Sequence, residues 1–387
     1  MTRRGFVSRT LAAAGAAALV TPTDADAATS AAPWAAPSPT RSSPPVSDLA
    51  YRALALQVVC EAVNSAETRA EAQRRMLGSV QRIGAQVRAS KAFIGPDCRL
   101  VVLPEYFLTS FPLGEPIEAW GQKAAVEMDG PVYEALGRVA QDNGVFLSGN
   151  AYELDEHFPG LYFQTSFCLD PSGDVVLRYR RLNSMFTPTP HDVLDRYLDV
   201  YGADGLFPVA ETEIGRLAAV ASEEILYPEV ARCLALRGAE VFLHSTSEPF
   251  GYDAAPKDVA KRARALENLA YVVSANSAGI TGTPIPAAST DGGSKVLDYE
   301  GRVLAEAGPG ESMAAYAALD LGALRRYRRR PGMPNLLARQ RLELYAPTYA
   351  ARTVYPPNTM SDGPPPRSHF RDTLAETIER LDASGVI

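Results

Sequence analysis

The chain has no excess of positive charge: 38 Lys and Arg stand against 45 Asp and Glu, a formal net charge of −7. That excludes the basic electrostatic footprint on which nucleic-acid binding rests. It also lacks an uninterrupted apolar run of about 20 residues, the length that crosses a bilayer as a helix, so no membrane span is expected. Cysteine is scarce. Cys60, Cys98, Cys168 and Cys233 form no CxxC pair and no metal-ligand spacing, and neither a metal nor a cofactor is expected. Cys60 and Cys168 fall in strand-like apolar runs and read as buried thiols, while the spacing leaves any disulfide pairing open. What the chain does have is apolar residues, 46% of the total, enough for a sizeable core in one large domain or two small ones.

The first residues read as a targeting segment rather than as fold. Arg3 and Arg4 precede Phe6, an apolar run spans 11–20, and Ala25, Asp26 and Ala27 offer a small-residue cleavage site, the three-part plan of an export signal. The arginine pair resembles a twin-arginine signal. Residues 1–27 are therefore expected to be removed and the protein to be secreted or held in the cell envelope. Residues 28–50, rich in Ala, Pro and Ser, read as a disordered linker. A domain is expected over 51–330, followed by a proline-bearing extension over 331–387 with an amphipathic helix at 370–381.

Within the domain, strands are expected at 54–59, 99–103, 145–153, 161–169, 175–181, 217–221, 240–244, 270–276 and 314–319. Helices are expected at 67–90, 130–143, 257–268 and 321–328. The first of these carries Met76, Val80, Ile83 and Val87 at helical spacing. Tight turns at 171–174 and 299–302 imply hairpins. Alternation of strands and helices with interspersed hairpins predicts a mixed sheet layered with helices, α/β in class. No internal repeat is evident. Segment 186–206 reads as irregular, and it and 248–256 are expected to close the pocket.

The chain is organised around 214–249. A short apolar strand there runs into Ser222, Glu223 and Glu224, and Pro228 and Glu229 then open a helix, a position where proline's missing N–H costs nothing and the helix dipole favours a carboxylate. Gly238 stops that helix. A side chain at the end of a strand, ahead of a helix N-terminus, has the placement of a nucleophile elbow.

This stretch resembles the elbow of the nitrilase (carbon–nitrogen hydrolase) superfamily, its aliphatic amidases more than its true nitrilases. The family pattern is Cys, five residues, then Pro-Glu. Here Pro228 and Glu229 are in place, and the residue six before the proline is Ser222. Other segments carry the same resemblance in the same order: Leu103, Pro104 and Glu105; Tyr179, Arg180 and Arg181; Glu267 and Asn268; Ser274, Ala275 and Asn276; Gly292, Gly293 and Ser294. It implies a nitrilase-like α-β-β-α sandwich in one domain with a C-terminal tail, paired through its helix layer into a homodimer or larger. It also implies Glu105 as general base, Arg181 where the family carries an oxyanion-side Lys, and Ser222 where it carries the nucleophilic Cys. A second family Glu falls near His191 and Asp192, in uncertain register. Tyr106, His191, Glu223 and Glu224 are the candidate substrate-contacting residues.

The substitutions matter chemically. A serine hydroxyl ionises far less readily than a thiol and needs a well-placed base. Arginine offers a fixed charge and a fork of donors but does not shuttle protons. The sequence thus supports two readings. One is an exported hydrolase or acyl transferase acting on a small amide or related C–N or acyl substrate, working through Ser222. The other is a catalytically silent relative that binds a small amide or acid.

Overall fold

The computed structural model describes residues 49–249 and 256–387. The expected export signal, residues 28–48 of the expected linker, and 250–255 of the second expected closing loop lie outside the described residues. In chain order the strands are β1 (Ala50–Ala55), β2 (Cys60–Glu61), β3 (Cys98–Val102), β4 (Phe146–Leu154), β5 (Tyr162–Leu169), β6 (Val175–Arg180) and β7 (Ala210–Thr212). They continue with β8 (Gly215–Ala219), β9 (Val241–Ser245), β10 (Tyr271–Ala275), β11 (Ile280–Thr281), β12 (Lys295–Leu297), β13 (Val303–Glu306) and β14 (Tyr316–Asp320). The α-helices are α1 (Arg69–Ile94), α2 (Ile117–Ala124), α3 (Pro131–Asn143), α4 (Leu194–Tyr201), α5 (Pro228–Leu236), α6 (Pro256–Asn268), α7 (Leu321–Arg329), α8 (Leu342–Ala350) and α9 (Ser368–Ala383).

Two six-stranded sheets form, in the orders β14-β1-β3-β4-β5-β6 and β13-β12-β10-β9-β8-β7. Each has three parallel strands at its centre, one antiparallel strand on one side and an antiparallel hairpin on the other. The repeat that is invisible in the residues is therefore present in the topology: a pleated sheet with the same strand directions can be filled by quite different apolar side chains.

Side-chain alternation sets the layers. In β1 and β3, Leu54 and Val101 join a core that includes Met76, Val80, Ile83 and Val87 of α1 and Val132 and Leu136 of α3. Their neighbours Ala53, Ala55, Leu100 and Val102 point the other way, into a core shared with β8, β9, β10, α5 and α6. Successive strand side chains face opposite sides, so the first sheet lies between its helices and the second sheet. The order is α-β-β-α.

Local chemistry explains the element boundaries. Thr68 caps α1 by accepting from the Glu71 amide at 3.2 Å. Pro228 opens α5 and Gly238, at φ 99°, follows it. The first strand begins earlier than expected, because Ala50–Leu54 pair with β14. Segment 186–206 is not irregular throughout: it holds α4, whose Tyr197 and Tyr201 pack on Phe158. The prolines at 188 and 190 hide that helix, yet Pro190 sits in the first turn of a 3-10 segment capped reciprocally by Thr189 and Asp192. The C-terminal extension is helical at α8 and α9 and seats Met360 and Phe370 in the first core. The four cysteines are free. Among the described residues no helix is long and apolar enough to cross a membrane.

Candidate active site

The parallel strands point their C-terminal ends at one edge of the sandwich, the place where open α/β sheets bind ligands. Glu105 follows β3, Arg181 follows β6, Ser222 follows β8, and Thr246 follows β9. Two bonds lock the edges of the two sheets together: the Glu105 amide donates to the Thr246 carbonyl at 3.2 Å, and the Ser245 hydroxyl to the Leu103 carbonyl at 2.7 Å.

Glu105 is 1% exposed. Its Oε1 accepts from Gln164 Nε2 at 2.7 Å and from Arg181 Nη1 at 3.4 Å. The same Nη1 donates to Gln164 Oε1 at 2.7 Å, and Arg181 Nε donates to the Asn183 carbonyl at 2.7 Å. Arg181 Nη2 pairs with Glu223. The guanidinium thus spans from the candidate base to the residue after Ser222. Burial works against its charge, but Glu223 and Glu105 outweigh burial and lift its pKa above the ordinary guanidinium value. Arg181 is a permanent cation.

Ser222 is buried and has φ 46°, in the left-handed region that L-residues avoid. Such backbone strain clusters at functional sites. His244 holds it in place. His244 Nε2 lies 2.8 Å from the Ser222 carbonyl, and Nδ1 lies 2.8 Å from Ser274 Oγ. Burial and then Lys261 depress the His244 pKa well below its ordinary value, so the ring is neutral. A carbonyl only accepts, which places the ring proton on Nε2 and makes Nδ1 the acceptor of the Ser274 hydroxyl. On its other side, Ser222 Oγ accepts from Lys257 Nζ at 3.3 Å, and the same Nζ donates to Thr246 Oγ1 at 3.2 Å.

The remaining candidates take different places. Glu223 is part-exposed beside Arg181. Tyr106 adopts φ 66° and packs on Phe111 and Tyr152; burial, then Glu105, raise its phenol well above the ordinary range. Glu224 is fully buried and accepts from the Tyr179 hydroxyl (2.7 Å), the Leu182 amide (2.7 Å), the Asn183 amide (2.9 Å) and Asn183 Nδ2 (3.2 Å). Its carboxylate is thereby committed to fixing the chain just after Arg181. The described contacts of His191 run to the C-terminal extension, its ring facing Tyr355 and its carbonyl accepting from the Asn358 amide, rather than to Ser222.

Sequence reasoning missed Gln164, His244, Thr246 and Lys257. Gln164 carried a signal, as a long polar side chain inside the strand expected at 161–169. Lys257 carried a weaker one: a cation in the first turn of a helix opposes the helix dipole.

A model of the carbon-nitrogen hydrolase family matches residues 62–329. The chain belongs to the carbon-nitrogen hydrolase family. A hydrolase encoded in the pqqF 5′ region of Pseudomonas protegens is 34% identical over 184 residues, 47% of this chain and 60% of that protein. A formamidase of Bacillus cereus is 26% identical over 222 residues, 56% of this chain and 60% of that protein. The chain thus spans about three fifths of the length of these curated relatives. Among solved structures, a nitrilase-superfamily protein of Saccharomyces cerevisiae superposes with a TM-score of 0.57 at 20% identity, covering 74% of this chain and 96% of that one. An amidase from Nesterenkonia sp. gives 0.54 at 21%, covering 77% and 96%. At these identities the likeness establishes the fold. In this member of the family Ser222 follows β8, Arg181 follows β6, and a lysine from α6 lies beside the serine.

Proposed function

We propose that this family member hydrolyses a small amide, with Ser222 as nucleophile and Glu105 as general base. The Ser222 oxygen attacks the amide carbon while its proton passes to Glu105. Collapse of the tetrahedral intermediate breaks the carbon–nitrogen bond, and Glu105 returns the proton to the departing amine. Water, deprotonated by Glu105, then attacks the acyl–serine ester, the bond from carbon to the Ser222 oxygen breaks, and Glu105 returns the proton to that oxygen. Arg181 keeps its proton throughout and orients Glu105, since guanidinium does not shuttle protons. The observation that carries this reading is the strained Ser222 at the end of β8, coupled through Glu223 and Arg181 to the buried Glu105. A small aliphatic amide is favoured because the Nesterenkonia amidase has been solved, as an alanine variant, with butyramide. Ser222→Ala should abolish turnover across a panel of small amides, and parental turnover in that variant refutes the assignment.

A second reading, binding without turnover, draws on one observation. The Arg181 donors are engaged by Glu105, Gln164, Asn183 and Glu223 within the protein, an arrangement suited to a fixed pocket. In that case Ser222→Ala binds amide as tightly as the parent, and no serine-directed reagent reacts with the parent.

Export and association complete the proposal. The Arg3 and Arg4 pair supports twin-arginine export; replacing both with Lys should block secretion, and unchanged secretion refutes it. Leu226, Tyr227 and Leu236 on and before α5, Val259 and Leu266 on α6, and Leu344, Tyr345 and Tyr349 in the extension are exposed. Apolar surface of this kind supports pairing of two copies through the α5/α6 layer. Light scattering should show a dimer or larger, and a monomer at micromolar concentration contradicts it.

A further inference from the structure

We propose that Lys257 is a second catalytic cation, which holds the Ser222 oxygen as negative charge develops on it and so makes a hydroxyl serviceable at an elbow that lacks a thiol. This rests on the reading of Ser222 as nucleophile. Lys257 is the cation whose Nζ touches Ser222 Oγ, at 3.3 Å. The described contacts of Arg181 stop at Glu105, Gln164, Asn183 and Glu223. The two cations have separate tasks: Arg181 orders the base, and Lys257 faces the nucleophile.

Its position is built rather than incidental. Nζ is shared between Ser222 Oγ and Thr246 Oγ1, and the Thr246 backbone is fixed on both sides, its amide donating to the Ala275 carbonyl at 2.9 Å and its carbonyl accepting from Glu105 at 3.2 Å. One residue of backbone therefore positions both the candidate base and the lysine. One turn along the same helix, Lys261 is fully buried and pairs with Glu248 Oε1. The other oxygen, Glu248 Oε2, lies 3.9 Å from Lys257 Nζ and is buried without a hydrogen-bond partner among the described residues. Two lysines thus face the Glu248 carboxylate, and Lys257 is the one that also reaches Ser222 Oγ. Like charges four residues apart on a helix are unfavourable in themselves, and a cation in the first turn adds to that. Charge developing on the serine oxygen offsets both.

The step balances without any further reactant. The Ser222 proton goes to Glu105, Lys257 keeps its three, and the Ser222 oxygen forms its bond to carbon while hydrogen-bonded to Nζ. Once that bond exists, the charge has moved to the former carbonyl oxygen and Lys257 retains the ester oxygen as acceptor. Loss of one preorganised donor at a developing oxyanion costs about 10²–10³ in rate, and a loss of that order is expected here.

The test is the rate at which a fluorophosphonate labels the full-length protein, read at Ser222 by peptide mass. In that reaction the serine oxygen bonds phosphorus and fluoride leaves, so it needs the same activated oxygen but no amide. Lys257→Ala should slow labelling by about 10²–10³, added ethylammonium should restore it in a saturable way, and Lys257→Arg should stay within about tenfold of the parent because the charge remains. Parental-rate labelling of Lys257→Ala overturns the proposal while leaving Ser222 as nucleophile. A parent that labels no faster than Ser222→Ala overturns both. If Lys257→Ala does not fold, Lys257→Arg decides: a loss of 10² or more in a folded protein, about the full cost of a missing donor, refutes a role for the charge.

Discussion

Removing the charge of Arg181 should be costly to stability as well as to activity, because the guanidinium is the common partner of groups that are themselves buried. In Arg181→Met the aliphatic stem is retained, but Glu105 loses its cationic partner and is left with neutral ones, Gln164 and Tyr106, and Gln164 Oε1 loses its 2.7 Å partner. Breaking a buried ion pair by removing one member costs ~3–5 kcal/mol, since the remaining charge is left uncompensated. The part-exposed Glu223 adds little, because water can solvate it. For a chain of this size the loss corresponds to a fall in Tm on the order of 10 °C. The assay is thermal and urea unfolding of the parent, Arg181→Met, Glu105→Gln and the double variant. If Glu105 is the group left stranded, neutralising it should recover part of the loss, so the double variant should be more stable than the sum of the singles by ~1–3 kcal/mol. Strict additivity, or an Arg181→Met protein as stable as the parent, refutes the view of Glu105 and Arg181 as one coupled buried unit.

Ser222→Gly should be more stable than Ser222→Ala by ~1 kcal/mol, because glycine adopts the observed positive φ without strain; the reverse order in urea unfolding contradicts strain at the elbow. Burial outweighs Arg181, Tyr179 and the two backbone amides at Glu224 and raises its pKa. The native state therefore binds that proton more tightly than the unfolded chain does, a contribution to stability present below the ordinary value of about 4.3 and lost as pH rises through the native pKa. Relative to Glu224→Gln, the parent should lose stability over that window, and a relative gain contradicts the assignment. Thiol alkylation near neutral pH should leave activity intact: burial raises the thiols of Cys60 and Cys168 far above their ordinary value, that of Cys98 to about 11, and that of Cys233 to a lesser degree, and thiolate is the reactive form. Loss of activity on alkylation would mean that a cysteine takes part after all.

Much of the fold could be read from residues whose signal is local. The spacing of Met76, Val80, Ile83 and Val87 marked α1 to within a few residues, and Pro228 with Gly238 bracketed α5. Elements whose signals conflict were lost. In α4, prolines precede an aromatic face whose burial depends on Phe158, a residue from elsewhere in the chain. The start of β1 depends on pairing with β14, at the far end of the domain. The site divides in the same way. Glu105, Arg181 and Ser222 stand at strand ends that motif order could place. Lys257 reaches Ser222 across 35 residues, and Gln164 reaches Glu105 across 59, contacts created by the packing of α6 on the end of β8 and by the strand order that sets β3 and β5 on either side of β4. Glu224 was legible as a carboxylate at the elbow, but its commitment to the backbone at Leu182 and Asn183 depends on how β6 ends.

The central claim is that the Ser222 oxygen forms a covalent bond to substrate, and rapid-quench mass spectrometry of the full chain during turnover of a small aliphatic amide tests it most directly. An adduct of acyl mass on the peptide containing Ser222 is predicted, formed before steady state and absent from Ser222→Ala. Product formation with no adduct at Ser222, or an acyl group on any other residue, would contradict it.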